Sequence, residues 1–453
     1  MSTVETASVA SPPRPTAPSV ARRPTVPAGL GAAAPQRSGT GVLDGWTTGT
    51  TPGWYRVAAA VAVASILAFA AIATAVALGV RSASQAIERD IAPSLIEVQN
   101  LFASVAEANA AATAVFLSGT TGTEDRGLRN LYLDALHRSA AKTEQVATLI
   151  GDDEASHEAL QDLSAALTDY SGQIEASRVA SRLAQPDADA ALRSALDQTR
   201  SGIAPSVVTV TERGQDQLDE KSSSGVLATV AVIAAGLVAL GALGWLQVGT
   251  YRRSNRVLNI PLVIATLAVV ASLVAVAWGS AVRSTAIDNA RGGGFDSIVN
   301  TSRLQTSAFD LQSELSFRLL GSEDRDVTAL ATAIDAEVGA LRAQADSRRE
   351  DAAAAELEQR WVRYRSTMEE ITALAGRDRA TAIERFRGPG LSTFNGFNTS
   401  IESVLSDNRT QFLGGVEQAA DATNLIPVAT VLLPVAAMLA VVVGVQRRLG
   451  DYQ

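Results

Sequence analysis

The chain has 453 residues, a formal net charge of −9 at pH 7, 47% hydrophobic residues and 5% aromatics. It contains no cysteine, which excludes disulfide frameworks, thiolate zinc sites and cysteine nucleophiles. Alanine dominates, Lys142 and Lys221 are the only lysines among many arginines, and the periodic stretches hold little Gly or Pro, a composition that favours helix throughout.

Residues 1–53 are rich in Pro, Ser, Thr, Ala and Gly, as in Ser11-Pro12-Pro13-Arg14-Pro15. Such a stretch buries too little apolar surface to offset its ordering entropy, so a disordered cytoplasmic tail is expected. Arg14, Arg22, Arg23 and Arg37 against Glu5 and Asp44 make it mildly basic. It reads either as a solvated tail or as a docking or phosphorylation segment.

Four apolar runs follow: Val57 to Val80, Val226 to Val248, Leu258 to Val282 and Leu425 to Val445. None carries a charged side chain or a histidine, and each matches the ~20 residues that cross a bilayer as a helix. Transmembrane helices are therefore expected over residues 56–80, 225–249, 258–282 and 425–446. Trp54 and Tyr55 fit an interfacial anchor. The first run is too long, and too far from Met1, for a cleaved signal peptide, so it reads as a signal anchor. Pro261, Pro427 and Pro434 offer kinks in two spans. Ala231, Ala235 and Ala239 allow close approach between spans or to a second copy, a homodimer.

Charge sets the expected topology. Arg252, Arg253 and Arg256 fill the turn at 250–257, and Arg447 and Arg448 the end at 447–453. The connections at 82–223 and 284–424 are acidic, with 22 Asp plus Glu against 11 Lys plus Arg in the first and 22 against 15 in the second. Both termini and the basic turn are placed in the cytoplasm of a plasma-membrane protein, with both long connections outside.

The two connections share a layout. Arg81 to Gly119 is 38 positions, and so is Arg283 to Gly321. Phe116-Leu117-Ser118-Gly119 followed by Glu124-Asp125-Arg126 parallels Leu319-Leu320-Gly321 followed by Glu323-Asp324-Arg325, and Leu167-Tyr170-Ile174 parallels Trp361-Tyr364-Met368. Each glycine reads as a helix C-cap, with acidic residues opening the next helix. An internal repeat is the economical reading.

Within each connection the apolar positions keep a helical period, as in Ile87, Ile91, Leu95, Val98, Phe102 and Val105, or Leu357, Trp361, Tyr364, Met368 and Ile371. Breaks at Gly119, Gly151–Asp153 and 185–187, and at Gly321, Arg348–Asp351 and Gly376–Asp378, divide each connection into four helices. The expected fold is all-α: four transmembrane helices and two extracytoplasmic antiparallel four-helix bundles. The fourth bundle helix is interrupted at Gly202 to Pro205 and again at Gly388, Pro389 and Gly390, which read as hinges, pocket edges or ordinary kinks. Asn395-Gly396-Phe397-Asn398 reads as a partly exposed aromatic patch for a partner.

Asp90-Ile91-Ala92-Pro93-Ser94-Leu95, Ala106 to Ala112 and Phe116-Leu117-Ser118-Gly119 together resemble the four-helix-bundle sensor domain of bacterial chemoreceptors and related membrane sensors. The resemblance covers about residues 82–222 and, more weakly, 284–424. The whole layout resembles the actinobacterial four-span membrane proteins encoded beside a glutamine-binding lipoprotein and a soluble Ser/Thr protein kinase. That resemblance implies relay of amino-acid availability from the extracytoplasmic solute-binding lipoprotein to the cytoplasmic kinase. Unlike chemoreceptors, the chain has about nine residues between the second and third runs and five after Arg448, which leaves no room for a HAMP domain, a methyl-accepting hairpin or a kinase domain.

No catalytic constellation emerges. His137 and His157 are the only histidines and read as solvated surface rather than a metal pair. Asp152-Asp153-Glu154 lacks calcium-loop spacing. Arg291-Gly292-Gly293-Gly294 precedes no strand, so it is a weak nucleotide signal. No cofactor, metal, enzymatic activity or nucleic-acid partner is expected. The leading functional reading is a non-enzymatic sensor or relay acting through a separate effector. A scaffold of the cell envelope is the alternative, and a transporter accessory subunit is disfavoured by the uncharged spans.

Overall fold

The computed structural model describes residues 51–119, 124–183, 185, 188–254, 259–321, 326–345, 347–424 and 426–450. The expected tail up to residue 50, all of Arg256, and the side chains of Arg253 and Arg448 lie outside the described residues. The described chain is all-α.

Helix α1 (Thr51–Ala86) passes through one π-helical turn, Ile87–Ile91, into α2 (Ala92–Gly119). The resulting rod, Gly53–Gly119, runs 67 residues, roughly 100 Å at 1.5 Å per residue. Helices α3 (Arg126–Leu149) and α4 (Glu154–Arg182) follow as a pair. Asp125 caps α3, accepting hydrogen bonds from the Gly127 and Leu128 amides and so satisfying two of that end's orphan donors. Helix α5 (Ala188–Gln198), a π turn at Thr199–Ile203 and α6 (Ala204–Ser254) form a second long rod.

The order then recurs. Helix α7 (Ile260–Asn289), a π turn at Ala290–Phe295 and α8 (Asp296–Leu320) make one rod. Helices α9 (Val327–Ala343) and α10 (Arg348–Ala375) form the middle pair. Helix α11 (Arg379–Arg385), a π turn at Phe386–Gly390 and α12 (Leu391–Asn424) lead to α13 (Ile426–Gly450).

Among the described residues four helices are long and apolar enough to span a membrane; the apolar stretches lie in α1, α6, α7 and α13. Their inner faces share one core in which Ile66 and Phe69 of α1 meet Leu243 of α6, Val269 of α7 and Val441 of α13. Their outer faces leave Leu227, Leu267, Trp278, Leu432 and Leu439 exposed. A belt of large apolar side chains of this kind is what lipid covers.

Several sequence expectations are corrected. The fourth helix of each segment is not broken at Gly202–Pro205 or Gly388–Gly390; the helix continues through both as a π turn. Pro261 does not kink α7 but sits in its first turn, where its missing N–H costs nothing. On α6 the closely packed face is not the whole Ala231–Ala235–Ala239 stripe: Ala231 is exposed and Ala239 buried. Close approach comes instead at Gly236, where an added Cβ would lie 2.4 Å from a Leu273 methyl. The break assigned to Arg348–Asp351 falls just before it. Ser347 and Glu350 form a reciprocal capping box that starts α10 at Arg348. Gly321 is left-handed (φ 93°), the conformation of a helix-ending glycine.

Helix α2 explains how the two helical segments meet. Its Val98, Leu101 and Val105 join the core of the first segment with Tyr132, Leu163, Tyr170 and Leu192. Its Ala106, Ala110 and Ala114 face the other way, into the core of the second segment with Leu304, Ala308 and Leu315. A helix buried on nearly all sides needs small residues where two neighbours close on it, which accounts for its run of alanines.

Candidate functional site

The π turns follow from local sequence. Ile91-Ala92-Pro93-Ser94 and Ile203-Ala204-Pro205-Ser206 are the same four residues, and each begins on the last residue of a π turn. Proline lacks the N–H that the carbonyl four residues back would receive, and its ring crowds that carbonyl. Widening the helix by one residue relieves the crowding: the Ala92 amide bonds back to the Ile87 carbonyl and the Ala204 amide to the Thr199 carbonyl, five residues back in each case. The third turn holds Pro389 itself. The fourth is built on Arg291-Gly292-Gly293-Gly294, so this stretch is a helical turn and not a phosphate loop. Gly294 is required there because an added Cβ would lie 2.8 Å from the Phe412 backbone on α12.

Two of these turns hold the segments together. Arg200 is the second residue of the turn at Thr199–Ile203, and its guanidinium lies 3.7 Å from the Asp310 carboxylate on α8 of the other segment. Arg387 is the second residue of the turn at Phe386–Gly390, and it donates to Asp125, the α3 cap, at 3.2 Å. Each segment thus reaches across to the other from the equivalent point of its last helix. Arg409 of α12 adds a third tie to the Asn100 side-chain oxygen. Asp125 is held below the ordinary aspartate range; burial opposes the shift, but the Leu128 amide and the Arg387 guanidinium outweigh it.

Beside the first of these turns lies a cavity of about 270 Å3, walled by α2, α5 with its π turn, and α8. Asn109 and Ser313, each 8% exposed, line it. The Asn109 amide nitrogen donates to the Thr199 hydroxyl at 3.1 Å, which ties α2 to the π turn. The Asn109 Oδ1 and Ser313 Oγ meet no hydrogen-bond partner. Arg193 lies 4.9 Å over the Phe317 ring on one wall, and Arg200, Asp310 and Glu314 supply charges of both signs.

Where the rods meet the apolar layer, Arg283 is 5% exposed. Its Nε donates to Ser84 Oγ at 2.9 Å, and its Nη2 to the Lys221 carbonyl at 3.1 Å. One guanidinium therefore joins α1, α6 and α7 at the level where α5–α6 leaves the first segment. The sequence signal for it was its position, the first charged residue after the third apolar run. At the far end of α6 the edge of the Trp54 indole packs against Gly249, where an added Cβ would be 2.0 Å from it. Arg252, beyond it, is exposed, as is Arg447 of α13.

Other sequence-marked positions fall outside this arrangement. Phe397 is not part of an exposed patch: it is fully buried against Trp361 and Tyr364, its ring centroid 5.2 Å from that of the indole. His137 and His157 line one open groove between α3 and α4. Among the described residues no cluster of three His, Asp or Glu side chains is arranged to hold a metal. The Asp153 side chain accepts from Ser156 within the first turn of α4.

Residues 83–223 match the family described as an actinobacterial sensor domain. Comparison with the curated proteins and with the solved structures gave no match. The matched stretch begins in the last turn of α1, after its apolar run, and ends on α6 before the second apolar run, so it contains two of the π turns, Ile87–Ile91 and Thr199–Ile203, and the Asn109–Thr199 bond at the seam between the two segments.

Proposed function

We propose that the protein is a non-enzymatic sensor of the plasma membrane that relays an extracytoplasmic signal to a separate cytoplasmic effector. The observation that carries this reading is the match of residues 83–223 to a sensor domain, together with the continuous helix that leads from that stretch into an apolar span. Both helical segments are read as antiparallel four-helix bundles, repeats of one unit, standing outside the membrane. Arg252, Arg253, Arg256, Arg447 and Arg448 place the short turn and both termini in the cytoplasm by the positive-inside rule.

A change at the seam moves the π turn at Thr199–Ile203. Gly202 and Pro205 make this turn the compliant point of the rod, because a π turn already lacks the regular bonding of the helix around it. Helix α6 carries the displacement past Arg283 to the Trp54–Gly249 contact and Arg252. Shifts of an ångström or two are the usual scale for such helix-coupled switching. The turn at Gly388, Pro389 and Gly390 is its counterpart in the second segment, where Arg387 ties it to Asp125 and it serves as the fixed side of the contact. An amino-acid-binding lipoprotein as the outer partner and a Ser/Thr kinase as the inner one are proposed on the resemblance of the whole layout, with the basic tail at 1–53 as the kinase's docking segment.

Topology is tested by substituted-cysteine labelling, which the cysteine-free sequence makes clean. A membrane-impermeant maleimide should label Thr148→Cys in intact cells and spare Tyr251→Cys until the membrane is opened; the reverse pattern sinks the reading. Crosslinking from native membranes should then capture a cytoplasmic kinase with the full chain and lose it when residues 1–53 are deleted.

A further inference from the structure

We infer that the pocket where α1, α6 and α7 meet at the edge of the apolar layer holds the phosphate of an anionic phospholipid, with Arg283 as the group that pairs with it. The inference goes beyond the sensor reading and rests only on the membrane reading of the four apolar helices.

Arg283 is a buried charge without a counter-ion. Its contacts are one hydroxyl and two carbonyls: Ser84 Oγ at 2.9 Å, the Lys221 carbonyl at 3.1 Å and the Ser222 carbonyl at 3.5 Å. Among the described residues no carboxylate pairs with it. A guanidinium carries five N–H donors, so two of them still lack a protein acceptor. Taking such a charge out of water is costly unless an anion is paired with it, and carbonyls bring only partial charge. An arginine that merely snorkelled would leave its head in water; this one is 5% exposed and lies between three helices.

Arg283 lines a pocket of about 230 Å3 walled by α1, α6 and α7. Among the described residues it is the one charged side chain in that wall, and the hydroxyls of Ser222, Thr229, Ser280 and Ser284 make up the polar remainder. Thr229 and Ser280 meet one another at 3.0 Å between α6 and α7, and hydroxyl protons rotate to suit an incoming acceptor. A site with one positive charge and no negative one selects an anion. The ammonium of a zwitterionic headgroup would find no carboxylate there. A phosphodiester that carries no cation of its own satisfies Arg283 and strands no second charge.

Position selects a lipid over a dissolved phosphate. Trp278, 73% exposed, lies five residues before Arg283 on α7, and an exposed tryptophan at the end of a span marks the headgroup level. Val80, Val230 and Ala281 form the apolar side of the pocket, and Val230 continues into the exposed face of the spans. A phosphate held by Arg283 thus has its acyl chains leading onto surface that lipid already covers. The volume is below the ~300 Å3 at which drug-sized ligand pockets begin, so it admits a headgroup phosphate and leaves the chains outside. Occupancy neutralises the one guanidinium that joins α1, α6 and α7, so the headgroup composition of the bilayer sets how firmly these three helices are held where α6 leaves the first segment.

The test is native mass spectrometry of the full chain released from nanodiscs that hold equal amounts of phosphatidylglycerol and phosphatidylcholine. Phosphatidylglycerol should stay bound with a preference of about tenfold or more, the effect of one hydrogen bond to a charged group. Val230→Trp fills the pocket from a lipid-facing position without touching the Arg283 contacts, and should bring the preference close to parity. Arg283→Gln should do the same; because Arg283 also joins three helices, Val230→Trp decides if that variant does not assemble. Arg81→Gln removes an exposed charge beside Val80 and should leave the preference unchanged. A preference that survives Val230→Trp, or that falls as far in Arg81→Gln, reports general surface attraction and overturns the site. Equal retention of phosphatidylcholine overturns the anionic headgroup, and displacement of the bound lipid by free glycerol phosphate overturns the lipid source. If the cysteine labels place the chain in the membrane and no phospholipid stays bound, this inference fails and the sensor reading stands.

Discussion

The two helical segments share an order of elements and differ in how they are filled. In the second, Trp361, Tyr364, Phe394 and Phe397 stack about one centre, with Phe394 also edge-on to Phe309. The polar atoms of its two largest rings are paired there: the Tyr364 hydroxyl donates to Gln312 Oε1 at 2.6 Å, and the Trp361 indole to Asp335 at 2.6 Å. In the first, Leu167 and Tyr170 have the spacing of Trp361 and Tyr364, and Ala110, nine residues before Gly119 as Gln312 is before Gly321, has no hydrogen-bonding side chain. The Tyr170 and Tyr132 hydroxyls are consequently buried without partners, and burial drives both phenols well above their ordinary range. Buried polar atoms without a partner occur in both segments, with Ser302 and Thr372 among those of the second; what separates the two is the aromatic centre, which the first segment lacks. We read the more lightly filled first segment, which matches the sensor family, as the part that moves.

Substitutions at matched positions should separate the two. The largest effect is expected for Trp361→Ala, which removes the centre of the aromatic cluster and should cost about 3–5 kcal/mol, against about 2–3 kcal/mol for Leu167→Ala, read by thermal unfolding in nanodiscs. Equal losses would erase the contrast. Next, Tyr364→Phe leaves the buried Gln312 oxygen unpaired and should cost about 1–3 kcal/mol, whereas Tyr170→Phe removes a hydroxyl that already lacks a partner and should be neutral or stabilising. A destabilising Tyr170→Phe would mean that this hydroxyl is bonded after all. Gly294→Ala, which drives a methyl into the Phe412 backbone, should cost about 1–3 kcal/mol. Gly202→Ala meets only side-chain atoms, the nearest at 3.1 Å, and should change stability by less than about 1 kcal/mol.

The smallest effect concerns pH. Glu175 is held below the ordinary glutamate range; burial pushes the other way, but Arg129 and Arg178 outweigh it. Asp125 is depressed too. A carboxylate depressed in the folded state binds fewer protons than in the unfolded chain. Its stabilisation is therefore complete above the unfolded value, about pH 4, and is lost as pH falls through the lower folded value. Being partly exposed, the Asp125–Arg387 tie is worth under about 1 kcal/mol. Asp125→Asn should flatten the acid limb of stability slightly. Glu107 of the first segment and Glu337 of the second are raised by burial, so each works in the opposite sense, favouring the fold as pH falls.

Much of this architecture is legible in the sequence because helix periodicity and apolar run length are local signals. The stripe Ile87, Ile91, Leu95, Val98 and the pair Leu167-Tyr170-Ile174 and Trp361-Tyr364-Met368 all point inward. What the sequence hides is anything that depends on a second neighbour. Alanines 106, 110 and 114 look like composition until α8 is seen against them. Phe397 looks exposable beside Gly396 and two asparagines, yet the aromatic cluster encloses it. The glycine–proline breaks are visible as irregularities, but whether a helix stops there or swells into a π turn depends on the packing that holds the flanking residues in line. Asn109, Ser313 and Arg200 carry no motif; only the seam brings them together. The repeated Ile-Ala-Pro-Ser was available as text and would have marked two of the turns.

The central claim, that the first segment yields at its π turn while the second stays fixed, is most directly tested by hydrogen exchange on the full chain in lipid. The expected result is faster exchange in residues 188–223 than in residues 379–424. Equal rates in the two last helices, or faster exchange in the second, would contradict it.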